Sequence, residues 1–330
     1  VQIPVIALVV LALGFDFLNG FHDSANIVAT MIASRAMGPR RALLLSGAAH
    51  LLAPFLFGVA VATTIGKDVV TPETVTVSVV MAALLSAIAW NLVTWLLGLP
   101  SSSSHALVGG IVGAVAVANG LAVIHLDGLL KVISALVASP VVGLAFGYVL
   151  MKLVLFLVRG ASPRVNVVFK RGQVLTAVAL ALSHGTNDAQ KTMGIITMGL
   201  VASGFLSEFT VPVWVIALSA ASISLGTALG GWRIIRTLGA GLYRLRAVDG
   251  FVSQTSSALV ILGAALVGGP VSTTQVVSSS IIGAGSAQRI SKVRWGVAVD
   301  ILTAWLLTMP ASALGAAMLY YLLNRFLGGA

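Results

Sequence analysis

The stretch "NGFHDSANIVATMI", Asn19 to Ile32, sets a histidine, an aspartate and two asparagines inside a run that is otherwise apolar. The surrounding chain has 330 residues, 58% of them hydrophobic and 8% charged, and a mean hydropathy of +1.06. Such a chain cannot present the mixed charged surface of a soluble domain, so it reads as a membrane protein. A hydrocarbon core about 30 Å thick needs roughly 20 apolar residues per helix, and stretches of that order recur along the whole chain. A β-barrel would alternate in polarity over segments of about ten residues. Segments such as "LLLSGAAHLLAPFLFGVAVATTI" (Leu43 to Ile65) are instead apolar on every face, which points to an all-α polytopic bundle. A carboxylate at membrane depth costs about 2.5 to 3.5 kcal/mol on insertion scales and is rarely kept without a partner or a task. Asp23 therefore needs an explanation.

Sliding the chain on itself supplies an echo. "HGTNDAQKTMGIIT" (His184 to Thr197) lies 165 residues further on and aligns Asp188 with Asp23. A second pair, "PSSSSHALVGGIVGA" (Pro100 to Ala114) and "PVSTTQVVSSSIIGA" (Pro270 to Ala284), lies 170 residues apart in the same order. Ten crossings are expected, over 1–34, 42–66, 75–97, 101–119, 129–158, 173–206, 211–232, 251–268, 272–288 and 294–325. Five crossings per half make the second half run opposite to the first, the inverted-repeat architecture of secondary transporters. The halves are expected at 1–158 and 173–330, joined by a basic cytoplasmic linker, 159–172, into one integrated transmembrane domain.

Charge agrees with this topology. Four alternate loops, around Arg35, Arg40 and Arg41, from Lys152 to Arg171, from Arg233 to Arg246, and from Arg289 to Arg294, hold 15 of the 19 basic residues. Cytoplasmic loops concentrate Lys and Arg. The opposite loops hold Lys67, Lys131 and Arg325 with the acids Asp68, Glu73, Asp127 and Glu208. Both termini are then expected outside the plasma (inner) membrane of a prokaryote. The net charge of +10 is topological and implies no nucleic-acid partner. The first apolar run lacks a small-residue cleavage site and reads as a helix rather than a leader. With no cysteine, disulfides and thiolate chemistry are excluded.

The first segment of each half is too long for one straight span and polar near its middle, so each is expected to be a broken helix lining a cavity. Asp23 with Asn26, and Asp188 with Lys191, stand three apart and share a helix face. Asp16 and Asp300 have no repeat partners. After Pro100 and Pro270 the hydroxyls can cap new helices whose first-turn N–H groups and dipole bind oxyanions. Two such half-helices from inverted halves would converge at the midplane on one site.

These residues resemble the inorganic phosphate transporter family, and within it the bacterial low-affinity Pit-type permeases. The likeness covers almost the whole chain and rests on "NGFHDSANIVAT", "SHGTNDAQKTMGII", "GLPSSSSHALVGG" and "PVSTTQ". The family pattern in each half is approximately Gly-Ala-Asn-Asp-Val-Ala-Asn. His22 replaces its first asparagine while Asn187 keeps it, and Lys191 replaces its last asparagine while Asn26 keeps it. Sodium-coupled members hold sodium at these motifs, whereas Pit-type members are associated with proton coupling and metal-phosphate substrates.

The expectation is a symporter taking up phosphate, bare or with a metal, on a proton gradient. Ser102, Ser103, Ser104, Ser272, Thr273 and Thr274 would bind phosphate with Asp23 and Asp188 beside it. Asp23, Asn26, Asn187, Asp188, Lys191, His22, His105 and His184 would handle the coupling ion, with a divalent cation at Asp23 and Asp188. No tightly bound cofactor is expected beyond H⁺ or Na⁺, and a homodimer is left open. Sodium coupling and transport of sulfate or arsenate remain alternatives. Hydrogen phosphate can offer a proton to a carboxylate and sulfate cannot, which favours phosphate. An intramembrane hydrolase built on Ser104, His105 and Asp23 is rejected, because adjacent helical residues point about 100° apart and Gln275 stands where His105 repeats.

Overall fold

A computed structural model describes residues 2–70 and 75–327; Glu73, expected in an outer loop, lies outside the described residues. The first half holds α1 (Gln2–Ala33), α2 (Pro39–Leu52), α3 (Ala60–Thr63), α4 (Val77–Leu97), α5 (Ser103–Ala118) and α6 (Leu126–Leu157). The second holds α7 (Val165–Ala202), α8 (Val213–Leu229), α9 (Trp232–Arg236), α10 (Ala247–Leu266), α11 (Thr273–Gln288) and α12 (Trp295–Leu327). Single π-turns, Thr64–Asp68 and Thr237–Gly241, follow α3 and α9. The long last helices carry proline at matching places, Pro140 in α6 and Pro310 in α12. The protein is thus an all-α membrane protein of two inverted repeats.

The inversion is visible where the repeat-related α1 and α7 touch. Leu8 meets Gly199, Asp23 lies 3.8 Å from His184, and Ser34 Oγ donates to Gln173 Oε1 at 2.9 Å. Numbers rise along α1 as they fall along α7, so the two helices run antiparallel. Residues 5–15 of α1 and 189–200 of α7 belong to one apolar core. Residues 25–31 of α1 and 177–181 of α7 belong to a second. The polar motifs fall between the two cores, forming a polar belt inside the bundle. Leucines and valines such as Leu44, Val137, Leu225 and Leu306 face outward, a surface that only lipid would cover.

Three sequence expectations change. First, α1 and α7 are unbroken through their motifs. The backbone keeps its intrahelical bonds, and hydroxyls fold back onto it: Ser24 Oγ donates to the Phe21 carbonyl and Thr186 Oγ1 to that of Leu182. Gly20 does not interrupt α1 but admits α8, since a Cβ there would stand 2.2 Å from the Ile223 carbonyl. At 32 and 38 residues the helices are about 48 and 57 Å long, lengths that a bilayer accommodates by tilt.

Second, the breaks fall in the next segments: Pro39–Phe55 and Ala60–Asp68 meet at 72°, and Val213–Leu229 and Trp232–Gly241 at 58°. Among the described residues, eight at most of the ten expected crossings have spanning length, because α5 and α11, with 16 residues each, are half-helices about 24 Å long. Third, α7 begins at Val165, so the linker expected over 159–172 is irregular only up to residue 164. Its basic residues Lys170 and Arg171 ride on the first turns of the helix.

The halves are laced together. α6 packs on α11, and α12 on α5, so the last helix of each half covers the half-helix of the other. At the basic end, the buried Asp249 carboxylate accepts from the Arg246 backbone N–H at 2.7 Å, from Lys292 at 3.2 Å and from Gln288. Burial holds the Lys292 ammonium below its ordinary range, against the opposing pull of Asp249.

The lacing predicts a stability effect. A Cβ on Gly113 would stand 2.1 Å from the Ala313 carbonyl, and one on Gly283 2.2 Å from that of Leu144. Gly113→Ala and Gly283→Ala should each cost about 1 to 3 kcal/mol as overpacked contacts, read as a lower midpoint of thermal unfolding in detergent. Gly14→Ala, with nothing within 4 Å, should leave the midpoint unchanged or raise it.

Candidate functional site

α4 and α10 end at Leu97 and Leu266, ahead of the positive-φ glycines Gly98 and Gly268, and after Pro100 and Pro270 the chain begins α5 and α11 with extended caps at Ser102 and Ser272. Each cap accepts from the backbone N–H three residues on, His105 at 3.2 Å and Gln275 at 3.3 Å. His105 Nδ1 also lies 2.8 Å from Ser102 Oγ. These two serines are thus occupied in fixing where the helices start. The starts converge as expected, Ser104 Oγ of α5 donating at 3.3 Å to the Val271 carbonyl just before α11.

Against these starts lie the two aspartates. Thr274 Oγ1 lies 3.1 Å from both Asp23 oxygens, and Thr273 Oγ1 lies 3.3 Å from Asp23 Oδ2 and 3.0 Å from Asp188 Oδ2. One threonine therefore reaches both carboxylates. His184 Nε2 lies 3.4 Å from Asp188 Oδ2 and 3.8 Å from Asp23 Oδ2, and neither of its ring nitrogens has a hydrogen bond. His22 Nδ1 is 2.8 Å from Asp23 Oδ1.

The first half has no lysine at this level, but the second does. Lys191 Nζ donates to Asp188 Oδ1 at 2.5 Å, to Ser104 Oγ at 2.6 Å and to the Val271 carbonyl at 2.9 Å. All three ammonium donors are used. In the other half, Asn26 Nδ2 donates to Thr274 Oγ1 at 3.1 Å. Asn26 aligns with Lys191 and Thr274 with Ser104, so the two contacts are related by the repeat: each motif helix reaches the half-helix of the opposite half. Asn187 Nδ2 donates to the Gly269 carbonyl at 3.1 Å, tying α7 to the turn before α11.

The predicted residues thus assemble into one polar belt, with two differences from their expected roles. Ser102 and Ser272 turn onto their own helices, and His105 onto its cap. Asn19, aligned with His184, takes part by accepting from Ser103 Oγ at 2.7 Å, a role that the repeat alignment could have flagged. Two contributions carry no sequence signal of their own: the Val271 carbonyl, and His50 of α2, whose ring stacks on His184 at 5.0 Å with 19° between planes. Gln190 is a further addition. Its Oε1 accepts from the Val61 N–H at 2.8 Å and its Nε2 donates to the Gly58 carbonyl at 2.7 Å, pinning α3 beside the motif.

None of Asp23, His184, Asp188, Lys191, Ser104, Thr273 and Thr274 is more than 3% exposed. The belt is therefore closed to solvent, and its charges interact at low dielectric. With neutral imidazoles the fixed charges, two carboxylates and one ammonium, leave it one unit negative. Asp23, His184 and Asp188 each offer a ligand atom within 4.8 Å of the others, a set that can hold a cation.

The family model described as the phosphate transporter family matches the chain twice, over residues 19–162 and 158–316. A probable low-affinity inorganic phosphate transporter of Bacillus subtilis is 43% identical over 323 residues, 97% of each chain. One from Rhizobium meliloti is 45% identical over 96% of this chain and 95% of its own. Among solved structures, a sodium-dependent phosphate transporter superposes with a TM-score of 0.88 at 27% identity, covering 98% of this chain and 99% of that one. Doubled motifs, antiparallel motif helices and these matches agree: the chain belongs to the phosphate transporter family.

Proposed function

We propose that this protein is a secondary symporter that takes up inorganic phosphate together with protons, holding the anion between the starts of α5 and α11. The observation that carries the reading is the Lys191 ammonium, locked among three oxygens from both halves. A carboxylate, a hydroxyl and a carbonyl around one positive charge form the kind of oxygen set that hard cations take. Lys191 supplies that charge permanently where the family pattern has asparagine. One mobile cation fewer is then needed, which supports proton over sodium coupling.

The rest follows from charge. A phosphate dianion entering a belt already one unit negative is repelled unless positive charge arrives with it. Protons on His22 and His184, each within 4 Å of a carboxylate, turn the fixed charge from one negative to one positive. His105, at the start of α5, is a third candidate carrier. The first-turn N–H groups and the hydroxyls of Ser103, Ser104, Thr273 and Thr274 grip the anion, while Ser102 and Ser272 hold those turns in place. When the protons leave, repulsion returns and the anion is released. Phosphate can also arrive with a divalent cation, held between Asp23, His184 and Asp188 as part of the substrate. The basic loops face the cytoplasm of a prokaryote and both termini lie outside.

Sodium coupling is the second reading, and one observation favours it. Asn26 Oδ1 is buried without a partner beside Thr274 and Asp23, the first-half counterpart of the Lys191 cage. The superposed transporter is also named sodium-dependent.

Three measurements test these readings. In proteoliposomes, labelled phosphate uptake should follow an inside-alkaline pH gradient without sodium, and sulfate should compete poorly; uptake indifferent to pH and dependent on sodium would establish the second reading instead. Lys191→Asn should lose sodium-free uptake by about a hundredfold to a few thousandfold, the scale of leaving a buried charge unpaired, and sodium should restore part of it. Unchanged sodium-free transport would refute the permanent-cation role. Asp188→Asn should abolish uptake while leaving Lys191 without its counter-charge; normal transport by this variant would remove the belt as the substrate site.

A further inference from the structure

Asp16 is the carboxylate that neither the repeat nor the phosphate site accounts for. It lies on α1 seven residues before Asp23, two helical turns away on the same face. It is 0% exposed, and neither oxygen has a hydrogen bond. The other buried aspartates differ: Asp23 has the hydroxyls of Thr273 and Thr274, Asp188 has Lys191 and Thr273, and Asp249 has a backbone N–H and Lys292. An ionised carboxylate stripped of water and given no charged donor is strongly disfavoured.

Its surroundings offer no counter-charge. Among the helices packed on α1 at this level, α4 and α8 contain no ionisable side chain. The charged groups that act on Asp16 come from α7: Asp188, which repels an ionised Asp16, and Lys191, whose three donors are already spent. Thr192 on α7 brings one hydroxyl beside it, a single neutral donor. Phe15, Ala12 and Leu8 continue α1 from there into an apolar core. The second half has Ala181 at the aligned place, so this group exists once per chain.

We propose that Asp16 is a proton-binding site of the transport cycle, carrying one coupling proton per turnover as a neutral carboxylic acid in the phosphate-loaded closed state. This rests on the proton-coupled reading above and adds to the protons of the belt one that is carried outside it. When the α1–α7 seam is wet on the loading side, the carboxylate forms an O–H bond with a proton from hydronium, leaving water. Closure strips the water and keeps the acid neutral beside Asp188. Opening on the other side rehydrates it, the O–H bond breaks, and the proton passes to water. Phosphate brings further negative charge into the belt, so the loaded carrier closes only with Asp16 neutral, and the empty carrier, without that charge, returns deprotonated.

The test compares the full-length wild type with Asp16→Asn in proteoliposomes, by two transport assays and one spectrum. Asp16→Asn mimics the protonated side chain permanently, so exchange of labelled for unlabelled phosphate at equal pH should persist. A one-unit pH gradient should drive about tenfold less phosphate accumulation than in the wild type, because one carried proton is lost. The infrared spectrum of the wild type should contain a carboxylic acid C=O band that Asp16→Asn removes and Asp16→Glu shifts. Gradient-driven uptake by Asp16→Asn equal to that of the wild type overturns the assignment, as does a wild type without that band. Loss of exchange in both Asp16→Asn and Asp16→Glu also overturns it, because Asp16 would then serve structure or phosphate binding. A wild type whose uptake ignores pH overturns the proton-coupled reading itself, a result separable from failure at Asp16 alone.

Discussion

Two carboxylates of like charge, carried on antiparallel helices from opposite halves, are held in one sealed belt, and a single ammonium answers them. Lys191 reaches Asp188, Ser104 and the Val271 carbonyl, so it joins α7 to α5 and to the turn before α11. Removing such a partner would leave a buried charge unpaired, at a cost of about 3 to 5 kcal/mol. The docking of both half-helix starts against α7 and the net charge of the belt depend on this contact.

The surrounding bundle serves to make that arrangement possible. Two apolar cores, one on each side of the belt, are threaded by α1 and α7. Each of those helices is apolar at both ends of its buried length and polar between. The half-helices α5 and α11 are too short to span alone, and each is covered by the last helix of the other half. Exchange of partners between halves binds them into one unit, while the head-to-head helix starts leave the belt as a place where both halves can move against a common ligand.

Pseudo-symmetry also makes departures from it informative. Asn26 and Lys191 occupy related places, as do Ser104 and Thr274, yet one contact is a neutral amide on a hydroxyl and the other a charged clamp. His22 stands where Asn187 repeats, and Asn19 where His184 repeats. Asp16 faces an alanine in the alignment. The halves share a scaffold and differ in chemistry: the second half supplies the buried ammonium of Lys191, and the first holds Asp16 and His22.

Much of this was legible in the residues themselves. Composition decides that the chain lives in a membrane, because no polar surface is available to water. The doubled motifs and the charge of the loops point to inverted halves, and the antiparallel α1 and α7 bear that out. Proline followed by serine determines where α5 and α11 start, because capping is local. The tertiary structure decided the rest. It kept α1 and α7 unbroken, because polar side chains satisfied across the belt leave the backbone free to stay helical. It chose which hydroxyl meets which carboxylate, stacked His50 on His184 and buried Asp16 beside Thr192. Those outcomes depend on groups up to 251 residues apart, and on a backbone carbonyl, whose meeting no local pattern encodes.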